Sequence, residues 1–119
     1  MKEIKIDGEV FVRKSDIKVK AEWKVPKGDT SNPFMEVGKN YFIRTVTNYF
    51  TGRLIWVGDK EMVFEDVAWI ADTGRFNQFL EGKTVNEVEP YPKGSTVIIG
   101  RGALVDMTEI KFELYLDVR

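Results

Sequence analysis

Arg44, Arg75 and Arg101 are the residues best suited to hold an anion in this chain. A guanidinium offers five donors in a planar fork that matches phosphate or carboxylate. Arg101 stands between Gly100 and Gly102, where absent side chains would let a ligand or a neighbouring backbone come close. Each arginine has a plainer role open to it, an ion pair with a local acid such as Asp66, Glu89 or Asp106. Trp69, Phe76, Tyr49 and Tyr91 could stack on a base, an interaction worth roughly 1–3 kcal/mol. Phe76 also belongs to a helical stripe with Phe79 and Leu80, and Trp69 could pack beneath it. Asn77, Asn48 and Asp72 carry donors and acceptors that could read a base edge or ribose hydroxyls. Capping and turn chemistry explain Asp72 and Asn48 equally well. The expected ligand set is Arg44, Trp69, Asp72, Arg75, Phe76, Asn77 and Arg101: arginines on phosphate, a ring on a base, and Asn77 fixing orientation.

Catalytic tools are scarce. The 119 residues include no cysteine and no histidine, which removes thiol nucleophiles, disulfides, imidazole acid–base chemistry and Cys/His zinc sites. Asp59, Glu61, Glu65 and Asp66 are the acidic group to weigh for a metal. Consecutive residues of a flat strand point to opposite faces, so Glu65 and Asp66 should not grip one ion together. Lys93-Gly94-Ser95-Thr96 lacks the upstream glycine and the following helix of a phosphate loop. The expectation is a protein that is not an enzyme and holds neither cofactor nor metal.

Net charge is −1. Residues 1–36 hold eight Lys/Arg against seven Asp/Glu, and residues 37–119 hold ten against twelve. Neither part has the basic excess that duplex DNA demands. No apolar run approaches the roughly 18 residues of a membrane span, and no basic-then-apolar leader opens the chain. A cytoplasmic protein without a membrane or duplex-DNA partner is expected.

The elements that must position these residues are mostly strands. Ile4–Val12 alternates apolar and polar residues about Asp7-Gly8, a hairpin signal. Residues 1–24 read as a hairpin arm, 25–40 as a Pro/Gly/Asn-rich linker anchored by Trp23, Phe34 and Met35, and 41–119 as the main domain. Strands are expected at Tyr41–Thr47, Gly52–Val57 and Glu61–Ile70, the last two joined by a Gly58-Asp59-Lys60 turn. In the third, Met62, Phe64, Asp66, Ala68 and Ile70 should share one face. A helix of about two turns should follow, capped by Asp72 or Thr73 and stopped by Gly82. Val85–Val88, Thr96–Ile99, Ala103–Met107 and Ile110–Val118 should complete the sheet, with a rigid Glu89–Gly94 loop between.

Two resemblances add to this reading. Gly52-Arg53-Leu54, Asp59, Met62, Phe64-Glu65-Asp66-Val67 and Ile99-Gly100-Arg101-Gly102 resemble the paired motifs of Sm-like small β-barrels, although Val63 stands where that family has its base-contacting Asn. The likeness implies a bent, SH3-like open barrel. The arm Ile4–Ile17 and the block Tyr41–Leu80 resemble small phage and prophage proteins. Arg44, Val63–Val67, Trp69 and Arg75–Leu80 are distantly similar to the first Thoeris anti-defence family, oligomeric sponges that trap nucleotide immune signals without cleaving them.

The sum is a mainly β chain: a small bent antiparallel sheet or open barrel, one short helix and an N-terminal arm. A small core with fifteen aromatic rings favours a homo-oligomer, with the arm free to exchange between subunits. A phage-encoded nucleotide sponge is the first functional expectation. A phage assembly module and a single-stranded RNA binder remain alternatives.

Overall fold

A computed structural model describes residues 25–119. The expected hairpin at Ile4–Val12 and the anchor Trp23 lie outside the described residues. Six strands are formed among the described residues: β1 (Asn40–Thr45), β2 (Tyr49–Val57), β3 (Glu61–Asp72), β4 (Glu87–Pro90), β5 (Thr96–Gly100) and β6 (Leu104–Glu109). The helix α1 (Phe76–Leu80) sits between β3 and β4, and a 3-10 turn at Arg101–Ala103 joins β5 to β6.

β3 organises the sheet. β2 pairs along one side of it. Along the other, β5 pairs with Glu61–Glu65 and β4 with the stretch from Ala68 to Asp72. β1 continues outward from β2, and β6 from β1, all antiparallel. The protein is therefore mainly β, an open sheet that does not close into a barrel. It is nonetheless sharply bent. Only three residues separate β5 at one margin from β6 at the other, and a 3-10 turn advances about 2 Å per residue. Two backbone bonds hold that corner: Arg101 N–H donates to Lys60 O at 2.8 Å and Val46 N–H to Ala103 O at 2.9 Å.

The bend comes from a slip in register. Thr51 pairs with Ala68, but Arg53 pairs with Glu65, so β3 spends one extra residue opposite Gly52. Asp66 absorbs it with φ of 51°, the one non-glycine in the left-handed region among the described residues. Gly52 makes room. A Cβ there would lie 3.0 Å from Val67 Cγ2. The bulge breaks the expected alternation. Met62 and Phe64 share the inner cluster with Val67, whereas Ala68 and Ile70 join the outer one.

The sheet thus has two buried faces. Inside the curl lie Tyr41, Ile43, Leu54, Val57, Met62, Phe64, Val67 and Ile99, with Met35 from the linker packed against them. The other expected linker anchor, Phe34, is 84% exposed, and Trp56 holds the linker instead by donating from Nε1 to Pro26 O at 2.8 Å. Outside lie Phe42, Ala68, Ile70, Phe79, Val88, Ile110 and Tyr115. Phe79 is the hub of that layer, with ring centroids 5.0 Å from Phe42, 5.9 Å from Phe112 and 6.2 Å from Tyr115.

Three local expectations are corrected. Val46–Asn48 turns the chain earlier than expected, because the Thr45 hydroxyl both donates to Asn48 O and accepts from Asn48 N–H, at 2.9 and 3.0 Å. Residues 110–118 are not a strand. They cross the outer face as an irregular strap held by Ile110, Phe112 and Tyr115, and Arg119 then exchanges two 2.9 Å backbone bonds with Val88. The helix is five residues with no side-chain cap. Asp72 Oδ1 instead accepts from Gly74 N–H at 2.9 Å. Its C-terminal stop is as expected. Gly82, at φ 80°, donates to Phe79 O and Lys83 to Gln78 O, the paired bonds of a Schellman motif.

A five-residue helix depends on that stop and on Phe79. An added Cβ at Gly82 would also meet the Phe112 ring at 2.8–2.9 Å. Gly82→Ala should therefore lower unfolding stability by about 1–3 kcal/mol. Urea unfolding checks this; an unchanged midpoint would show that the strap holds α1 without the turn.

Candidate functional site

The turn at Val46–Asn48 and the end of β3 enclose an open cleft of about 370 Å³. Arg44, Asn48, Tyr49, Trp69 and Val105 are among its walls. A second cleft of about 350 Å³ shares Asn48 and Trp69 and adds Phe50 and Tyr91. Trp69 and Tyr49 are 38% and 41% exposed, so each keeps much of a ring free for contact.

Arg44 lies on the outer face beside Phe42, as strand alternation requires, and that face explains its surroundings. Its Nε donates to Asp106 Oδ1 at 2.8 Å, and its Nη2 donates to Asp106 Oδ2. Asp106 is its direct cross-strand partner on β6. The guanidinium carbon lies 5.9 Å from the centre of the Phe76 ring, a cation–π contact. The fork is thus engaged by a carboxylate on its edge and an aromatic ring on its face. Hydrogen bonding to Asp106, assisted by Tyr49, holds the Arg44 pKa well above its ordinary range. The same bond to Arg44 holds the Asp106 carboxyl below its ordinary value.

The seven expected ligand residues do not form one site. Arg44 and Trp69 share the first cleft, and Phe76 touches Arg44. Asp72 serves the turn before α1. Arg75 and Asn77 are exposed at the start of the helix and make no ion pair or side-chain hydrogen bond among the described residues. Arg101 sits at the β2–β3 turn, where its Nη1 donates to Gly58 O at 2.9 Å and braces the hairpin. Its flanking glycines do not admit a neighbouring backbone, since a Cβ on either would meet no atom within 4 Å. Phe76 is 43% exposed and Leu80 half-buried, so Phe79 is the one fully buried residue of the helical stripe.

Arg53 was passed over by sequence reasoning. It donates from Nε to Glu65 Oε2 at 2.9 Å and from Nη2 to Asp66 Oδ2. Glu65 and Asp66 do grip one cation together, because the left-handed bulge brings Asp66 round beside its neighbour. Hydrogen bonding to Glu65 raises the Arg53 pKa above its ordinary value, with Asp66 adding to the effect. The flat-strand assumption failed at the one residue with positive φ. Val46 and Val105, exposed beside the first cleft, were also passed over.

No group of three or more Asp or Glu side chains is placed to share a metal ion among the described residues. No helix there is long and apolar enough to cross a membrane. No protein-family model, curated protein or solved structure matches this chain.

The Arg44–Asp106 pair is partly exposed, with side chains 36% and 43% accessible, so solvent and salt weaken it. Its pH dependence has a definite sign. Asp106 is depressed from its ordinary 3.8, so the pair contributes fully above about pH 4 and is lost as the folded carboxylate protonates below that. The urea midpoints of the parent and Asp106→Asn should differ at neutral pH and converge below pH 4. A gap that persists unchanged to pH 2 would contradict this assignment.

Proposed function

We propose that this protein is a non-catalytic binding module that takes a planar, nucleotide-class small molecule into the cleft beside Trp69. The reading rests on one observation: Tyr49 and Trp69, both about 40% exposed, line the same cleft as a cationic arginine. Aromatic faces accept any base, and each stacked base brings roughly 1–3 kcal/mol. The near-neutral charge suits a small ligand better than a polymer, whose binding draws on many phosphates. The distant likeness to nucleotide sponges supplies the first ligands to test, cyclic dinucleotides and cyclic ADP-ribose isomers. In this account the protein holds an immune signal out of circulation without changing it, in the cytoplasm of a phage-infected cell and as a homo-oligomer.

The state of Arg44 shapes that binding. Its charge is already matched by Asp106, so a phosphate would compete with a carboxylate for the fork. Stacking therefore carries most of the affinity, and the arginine adds to it only when Asp106 yields.

Assembly with protein is the second reading, and a separate observation favours it. Val46 and Val105, 73% and 61% exposed, lie on the walls of the same cleft as Trp69. Aromatic and apolar side chains set together are the usual composition of a contact surface.

A melting screen with the cyclic nucleotides and short RNA distinguishes the two. The sponge reading predicts a rise of several degrees with one nucleotide class, by mass action on the folded state. Trp69→Ala should weaken that ligand about tenfold, the equivalent of roughly 1.4 kcal/mol of stacking. Asp106→Asn should tighten a phosphorylated ligand by freeing Arg44. No shift with any nucleotide, together with self-association abolished by Val105→Asp, would replace the sponge with an assembly module.

A further inference from the structure

Among the described residues the open sheet has three edges, at β4, β5 and β6, and two of them are guarded. β4 is four residues long and ends in Pro90, and its outer side is taken by Arg119, which exchanges two 2.9 Å backbone bonds with Val88. β6 carries Asp106 and Glu109, and its pairing with β1 is interrupted by a register shift between Arg44 and Thr45. Charge, proline and bulges are the devices that keep sheet edges from pairing with other chains. β5 has none of them. Thr96-Val97-Ile98-Ile99-Gly100 contains no charge and no proline, and its register against β3 runs unbroken from Glu65 to Glu61.

The direction of each backbone group on that edge follows from one bond. Arg101 N–H donates to Lys60 O at 2.8 Å, which continues the β3–β5 register by one pair. Bonded and unbonded pairs alternate in an antiparallel ladder, so Ile99 and Val97 also bond to β3. Gly100, Ile98 and Thr96 then direct their N–H and C=O groups away from it, and no backbone group of the described residues meets them there. On the outer face, the 68% exposed side chain of Ile98 ends a row whose half-buried members are Trp56 on β2 and Val63 on β3.

We infer that β5 pairs antiparallel with β5 of a second copy of this chain, about a twofold axis at Ile98. The contact rests on the homo-oligomer proposed above and names its surface. Three observations choose a second copy. The edge is its own complement. A twofold at Ile98 sets Thr96 of one copy against Gly100 of the other, so every outward N–H and C=O finds a counterpart, up to about six backbone bonds. The side chains match as well. Opposite residues of an antiparallel pair share a face, so the two Ile98 side chains meet and the row from Trp56 runs on into its copy. Gly100 leaves the approach open, since a Cβ there would meet no atom within 4 Å. The ends are complementary in charge. Glu61 lies opposite Gly100 on the face of Ile98, and Lys93 lies at the tip of the Pro92–Ser95 turn that feeds β5, where Ser95 N–H donates to Pro92 O at 3.0 Å. Neither forms an ion pair among the described residues. The twofold brings Glu61 of each copy to the end where the other copy has Lys93.

The test uses the full chain in sedimentation equilibrium. The parent should be a dimer. Ile98→Lys sets two like charges face to face and should weaken association by about tenfold or more. Val105→Asp, at the other margin of the sheet, should leave it unchanged. Oxidation gives a second readout, because the chain has no cysteine and Ile98→Cys adds a single thiol. Bonded antiparallel partners lie about 5.5 Å apart at Cα, within the roughly 4.4–6.8 Å of a disulfide. Dilute Ile98→Cys should therefore link into covalent dimers, and Val105→Cys should not. A monomeric parent overturns the inference and the proposed homo-oligomer with it, and leaves the nucleotide melting screen to judge the cleft. A dimer that persists in Ile98→Lys, or that Val105→Asp abolishes, keeps the homo-oligomer and overturns the β5 contact. An assembly larger than two also overturns it, since a twofold contact closes on itself. Should Ile98→Lys fail to fold, the oxidation result decides.

Discussion

Everything in this fold turns on the extra residue that β3 accommodates at Asp66. A strand with unbroken alternation would put Met62, Phe64, Ala68 and Ile70 on one face with Asp66, and would leave Val67 and Trp69 on the other with Glu61 and Glu65. The bulge lets one strand supply an inner core with its first half and an outer core with its second. It also allows a single twelve-residue strand to take β5 and then β4 along one side. The left-handed backbone is an unfavourable conformation for a residue with a side chain. Two features offset it: Gly52 leaves space for Val67 to turn inward, and Arg53 binds Glu65 and Asp66 at once.

The candidate site follows from the same bend. Trp69 sits three residues past Asp66 and pairs with Phe50, on the side of β3 that continues the inner face. Arg44 and Tyr49, cross-strand partners on the outer face, reach the cleft from the other side of the sheet's end. The cleft therefore collects one aromatic ring from each face at the margin where the sheet stops. Its cation is held in place by a bidentate carboxylate and by Phe76, which makes it a positioned group and leaves little free positive charge. This favours ring recognition over phosphate recognition, and it separates this site from a basic patch made for a polymer.

Much of the architecture was legible in the sequence. The turn at Gly58-Asp59-Lys60, the strands on either side of it, the helix around Phe79 and the stop at Gly82 all follow from period and turn chemistry. The open, bent sheet was also expected. What escaped was set by contacts distant in sequence. The face switch after Asp66 depends on Gly52 and Arg53, more than ten residues away on another strand. The irregular strap at 110–118 alternates well enough to resemble a strand, yet its aromatic residues are drawn down onto Phe79 and it joins no strand ladder along its length. The seven ligand candidates were chosen by residue type, and type says nothing about where topology places them. Arg101 and Arg44 look equivalent in the sequence; one braces a turn and the other lines a cleft. Asp106, which settles the state of Arg44, was named only among several acids, because the β1–β6 register that selects it spans 62 residues.

The register across the bulge is the measurement that bears most directly on this account. In nuclear Overhauser spectra of isotope-labelled protein, cross-strand contacts should pair Thr51 with Ala68 and Arg53 with Glu65. Val67 should then show contacts to Phe64 and Tyr41, in the inner core. A continuous register, with Arg53 opposite Asp66 and Ala68 packed against Phe64, would contradict it. That outcome would also move Trp69 to the opposite face and dissolve the cleft on which the functional reading depends.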